Sequence, residues 1–88
     1  MATQDQLKVL IVSPVRTLFD CAAMSVTVPG ELGPFEILVH HAPIISSLSA
    51  GKIVCGGDTP CTIEIASGFV QVADNVVKIC VQLHATNE

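Results

Sequence analysis

Tryptophan and tyrosine are absent from this 88-residue chain, and phenylalanine occurs three times, as Phe19, Phe35 and Phe69. Single-stranded nucleic acid is gripped on aromatic platforms, so that mode of binding is excluded. Basic residues are also scarce: Lys8, Arg16, Lys52 and Lys78 stand singly among eight acidic residues, for a net charge of −4. Binding to a phosphate backbone needs clustered cations that displace counterions, and there is no cluster. Long apolar runs are missing as well. The longest uncharged stretch, residues 37–51, contains His40, His41 and Pro43 and is shorter than the about 20 residues a membrane-crossing helix requires. The opening Met1-Ala2-Thr3-Gln4-Asp5 has neither the basic start nor the apolar core of a secretory signal. A soluble chain on the cytoplasmic side is therefore expected.

The four cysteines, Cys21, Cys55, Cys61 and Cys80, show no Cys-x-x-Cys or Cys-x-x-His spacing, which argues against zinc. Without a signal a disulfide framework is not expected. The thiols are expected to fill apolar gaps in strands, with a bridge between Cys55 and Cys61 as the alternative.

Half of the residues are apolar and 14% are charged, the reverse of a disordered composition. One domain over residues 1–88, with its core within residues 7–83, is predicted. A periodicity of two runs through the chain. Residues 7–12, Leu-Lys-Val-Leu-Ile-Val, end at a Ser13-Pro14 turn signal. Met24, Val26 and Val28 alternate with Ser25 and Thr27, and Val28-Pro29-Gly30-Glu31 suits a type II turn with positive φ at Gly30. Residues 52–55 and 61–66 read as a hairpin, with Ile63 and Ile65 inward. Residues 69–72 and 76–83 read as another, about Ala73-Asp74-Asn75, with Val77, Ile79, Val81 and Leu83 on one face. Residues 44–48 suit a strand or a single helical turn. The expected fold is all-β, a flattened β-sandwich or barrel of about eight to ten short strands in two sheets.

Reactive chemistry is hard to find. Ser67-Gly68 lacks the Gly-x-Ser-x-Gly frame of a strained nucleophile. Pro29-Gly30-Glu31-Leu32-Gly33 leads into a strand, so it cannot present a helix N-terminus to phosphate. His40 and His41 are neighbours, and on extended backbone they point to opposite faces, one inward and one outward. No catalytic residue, metal ligand set or cofactor is predicted. The alternative is a small β-sandwich enzyme or metal-binding domain that uses His40, His41 and His84.

Residues 25–45, Ser-Val-Thr-Val-Pro-Gly-Glu-Leu-Gly-Pro-Phe-Glu-Ile-Leu-Val-His-His-Ala-Pro-Ile-Ile, resemble the ε subunit of bacterial F-type ATP synthases. That family has a strand ending in Val-Pro-Gly, a Gly-x-Phe turn and His-Ala-Pro before two aliphatics. Leu7-Lys8-Val9 through Phe19, Ala50-Gly51-Lys52-Ile53, and Ser67-Gly68-Phe69-Val70-Gln71-Val72 with Asn75-Val76-Val77 are similar to it in the same order. The resemblance spans residues 7–83 and stops before the helical hairpin that follows in most ε subunits. It departs from the family at Pro34, where an acidic residue is frequent, at Glu36, where glycine is common, and at Val39-His40, where a Pro-Gly pair stands.

The resemblance implies the N-terminal β-sandwich domain of ε, homologous to mitochondrial δ. It implies a non-catalytic subunit of the central stalk that binds γ and the c-ring, with the α and β subunits only indirect partners. Such a subunit turns with the rotor, coupling proton flow to ATP synthesis or hydrolysis. It meets the membrane only through the complex, at the cytoplasmic face of the bacterial plasma membrane. By matching position, His41, Glu31 and Glu36 are implied as c-ring contacts, and Ser46 and Ser13 as γ contacts.

Overall fold

The computed structural model describes residues 6–84, and strands are the regular structure among them. They are β1 (Leu7–Val12), β2 (Thr17–Ala23), β3 (Ser25–Gly30), β4 (Gly33–Leu38), β5 (Ile44–Leu48), β6 (Gly51–Gly56), β7 (Cys61–Ile65), β8 (Ser67–Ala73) and β9 (Val76–Gln82). Branched side chains favour this extended state because they pack well on a pleated surface. Residues 44–48 take the strand rather than the helical turn.

Hydrogen bonding orders one layer as β2-β1-β9-β8-β5 and the other as β4-β3-β6-β7. They meet where β3 touches β5, at the single pair Gly30↔Leu48. The two expected sheets are thus halves of one ladder that curls over at a corner. β1 runs parallel to β9, from Lys8↔Val76 to Val12↔Cys80; the other pairings are antiparallel. A parallel neighbour needs a long crossover, and here the intervening strands supply it.

Alternate residues of the strands enter one core, with β2 interrupted at Cys21. β9 shows the principle: Val77, Ile79 and Val81 are buried, Lys78 and Gln82 are exposed, and Leu83 continues the apolar face half-buried. Among the described residues no polar or charged side chain is buried. The sandwich interior is held by apolar burial and by backbone ladders.

Three local expectations differ from what is found. Met24 stands before β3 and is exposed, because the chain bends there and the Met24 N–H donates to the Gly56 carbonyl at 2.8 Å. Pro29-Gly30 remains within β3, the reversal is made by Glu31-Leu32, and the positive φ falls on Gly33 at 129°. Gly30 is required for space instead, since a Cβ there would lie 2.8 Å from the Phe35 ring and from the Gly33 carbonyl. Cys21 fills no gap: it sits exposed on β2, at the end of the strand order.

Cys55 is the buried thiol. Burial first, and the nearby Cys61 second, push it up from its ordinary 9.0 to about 11. The folded state therefore holds this proton more tightly than the unfolded chain. Its contribution to stability is complete below pH 9 and is lost as pH rises through about 11. Urea midpoints measured from pH 8 to 11 should fall more steeply for the parent chain than for Cys55→Ala; parallel curves would contradict this.

Candidate interaction sites

The β3–β4 hairpin turn projects Glu31 and Leu32 into solvent, and Leu32 is fully exposed. Beside it, β5 turns Ile44, Ser46 and Leu48 toward the core side and Ile45 and Ser47 outward. A groove of about 380 Å³ lies between them, lined by Gly30, Glu31, Leu32, Phe35, Ile45 and Ser46 with their neighbours. A second hollow of about 520 Å³ adjoins it, bordered by Val12, Ser13, Pro14, Glu31, Phe69 and Cys80 among others. Glu31 is common to both and, among the described residues, is the only charged one in either lining. This end of the sandwich is a largely apolar surface with one carboxylate at its rim.

Ser13, Glu31 and Ser46 are therefore brought to one end of the molecule. Ser13 also has local work: its Oγ accepts from the N–H groups of Val15 and Arg16 at 3.4 and 3.3 Å, ordering the β1–β2 turn. The Ser46 hydroxyl donates to the Ser47 carbonyl at 3.3 Å. Glu36 lies midway along β4, exposed and opposite Thr27.

His41 is elsewhere. The six residues of β4, at about 3.3 Å each, set it roughly 20 Å from the Glu31 turn. Its Nδ1–H donates to the Ala42 carbonyl at 2.7 Å, and its backbone N–H to the Leu38 carbonyl at 3.2 Å. His40 is exposed, and its N–H donates to Asn75 Oδ1 at 2.6 Å. Asn75 and Asp74 form the β8–β9 turn, with φ of 62° and 51°, as a type I′ hairpin requires. Neither histidine is buried, because the backbone here is a turn and not extended.

The three-histidine alternative fails on this layout. His84 follows the far end of β9, whereas His40 bonds to the turn that begins it. The seven residues of β9 put more than about 20 Å between them. Among the described residues no group of three or more His, Cys, Asp or Glu could hold a metal ion.

His40 stands at the glycine of the resembling Pro-Gly pair, with φ of 65°. Left-handed backbone costs a side-chain-bearing residue about 1–2 kcal/mol that glycine escapes, partly offset by the freedom glycine gains when unfolded. His40→Gly is therefore expected to stabilise by up to about 1 kcal/mol. A thermal melt showing no gain would mean that the turn carries no such strain.

Sequence reading missed Leu32 and Ile45. The signal was present: of the adjacent pair Ile44-Ile45, one must face out in a strand, and an aliphatic at a hairpin tip has no core to enter.

A family model described as ATP synthase, Delta/Epsilon chain, beta-sandwich domain matches residues 6–85. The chain belongs to this family. Among curated relatives, the ATP synthase epsilon chain of Leptospira borgpetersenii is 34% identical over 84 residues, covering 94% of this chain and 66% of the relative. That of Synechococcus elongatus is 34% identical over 76 residues, covering 85% and 56%. The Rickettsia felis epsilon chain is 34% identical, covering 94% and 80%. The chain thus spans about two thirds of the length of the first of these relatives. A chain in the Euglena gracilis mitochondrial ATP synthase structure, OSCP/F1/c-ring in rotational state 1, superposes with a TM-score of 0.80 at 20% identity, over 88% of this chain and 51% of that one. One in the Tetrahymena thermophila mitochondrial ATP synthase structure, central stalk/c-ring, superposes at 0.75 and 15%, over 92% and 66%. The all-β sandwich of the delta/epsilon family is therefore what this sequence folds into.

Proposed function

We propose that the chain acts as the non-catalytic ε-type subunit of an F-type ATP synthase rotor, held between γ and the c-ring. It turns with both and transmits torque between proton flow and ATP synthesis or hydrolysis. It is a peripheral component, reaching the membrane through the complex at the cytoplasmic face. The observation that carries this reading is the match to the delta/epsilon β-sandwich over residues 6–85. Support also comes from the Glu31 end, where Leu32 and Ile45 are 104% and 76% exposed. A torque-bearing joint needs apolar surface that a partner can cover, and isolated domains seldom leave such patches bare.

In this reading Glu31, Glu36 and His41 meet the c-ring as a strip along β4 and its flanking turns, not as one cluster. Ser13 and Ser46 meet γ around the hollows that Glu31 borders. Burying a leucine side chain is worth about 1.5–3 kcal/mol, or roughly 10- to 150-fold in affinity. Leu32→Asp is therefore expected to weaken recovery of the c-ring with the tagged chain at least about tenfold, with Glu31→Arg acting in the same direction. Ser46→Arg should weaken recovery of γ, and Glu64→Lys, exposed on β7, should change neither. Undiminished recovery of both partners after the first three changes would refute the assignment.

A further inference from the structure

We propose that Cys55 and Cys61 form a reversible dithiol–disulfide pair that takes a small-molecule disulfide as oxidant and staples the β6–β7 hairpin. The two residues face each other in the antiparallel ladder, Cys55↔Cys61, and form the last β6–β7 pair before the loop of residues 57–60. Directly opposed residues project from the same face of a sheet. Their Cα atoms lie about 4.5 or 5.5 Å apart, according to the hydrogen-bonding class of the pair. Both values fall within the about 4.4–6.8 Å span that a disulfide bridges. Both thiols are free, so the pair stands in its reduced form.

The other two cysteines cannot bridge to each other. Cys21 is on β2 and Cys80 on β9, with β1 between them, paired to Val9 and Val12 respectively. Two strand spacings alone come to about 9.6 Å, beyond the about 7 Å limit for bridging.

Access orders the two steps. β7 is at the end of the strand order and Cys61 is partly exposed, whereas Cys55 is 1% exposed. The Cys61 thiolate attacks one sulfur of the small disulfide, breaking its S–S bond and expelling one thiolate. Cys55, which keeps its proton to higher pH, then gives it up and attacks Cys61 Sγ, expelling the second thiolate. Two protein thiols are oxidised to one disulfide, and the small disulfide is reduced to two thiols that take up the two protons. Exchange of this kind reverses when the small thiol is in excess.

The test uses the full chain and its Cys21→Ser/Cys80→Ser variant, equilibrated in graded ratios of oxidised to reduced glutathione, quenched in acid and alkylated. The expected result for the Cys21→Ser/Cys80→Ser variant is a monomer 2 Da lighter that takes up no alkyl group, whereas the parent chain reacts only at Cys21 and Cys80; both proteins yield a linked Cys55–Cys61 peptide and return to the dithiol in excess reduced glutathione. Adding Cys61→Ser, a change at a partly exposed position, should abolish the 2 Da loss while circular dichroism shows the strands intact. Full alkylation at the most oxidising ratio, or products limited to glutathione adducts or linked dimers, would overturn the proposal. So would a bridge that excess reduced glutathione does not open.

Discussion

Ile79→Ala is expected to destabilise the chain by about 2–5 kcal/mol. Ile79 is completely buried and pairs with Ile11 on one side and Val70 on the other, both equally buried. Three branched side chains thus form a row across β1, β9 and β8, at the middle of the larger layer. Truncation removes the transfer energy of the lost carbons and leaves a cavity that rigid strands cannot close. Domains are stable by only about 5–15 kcal/mol in total, so this one change consumes a large share. The melting temperature should fall by about 4–8 °C for each kcal/mol. Ile79→Val, which keeps most of the volume, should cost only about 0.5–1.5 kcal/mol. Urea unfolding checks both. A loss below about 1 kcal/mol for the alanine variant would mean that the row is not the packed centre.

Gly68→Ala should be the second large effect, against the usual direction of the exchange. Alanine in place of glycine ordinarily stabilises by restricting the unfolded chain. At Gly68, however, the added Cβ would run into the Cys80 carbonyl oxygen and lie 3.1 Å from the Val81 Cα. These are backbone atoms of β9, which pairs with β8 at Gly68↔Val81, so no side chain can swing aside. The strands must separate locally, and overpacking of this kind costs about 1–3 kcal/mol. Gly68 also borders the hollow shared by Ser13 and Glu31, so the variant should weaken γ recovery as well as lowering the urea midpoint. An unchanged or raised midpoint would show that β8 and β9 are not so closely apposed.

Much of the architecture can be read from local alternation. Val77, Ile79 and Val81 against Lys78 and Gln82 specify a strand and its buried face in seven residues. The hairpin turn at Asp74-Asn75 is marked by residue types that tolerate positive φ. Where local reading failed, a neighbour from another strand had intervened. The Met24 backbone is captured by Gly56 from β6, and Gly30 is confined by Phe35 across the hairpin. Cys21 is exposed because its strand is at the end of the sheet order.

Alternation of polar and apolar side chains, with turn residues between, sufficed to specify an all-β domain and most of its inward residues, while the family resemblance rests on motifs such as Val28-Pro29-Gly30 and His41-Ala42-Pro43. These depend on contacts a few residues apart. The gathering of Ser13, Glu31 and Ser46 at one end, and the placing of His41 at the other, came from how β3, β5, β8 and β9 pair and from the corner at Gly30↔Leu48. Such pairings join residues far apart in the chain, and a pattern with period two is the same whichever strand lies alongside.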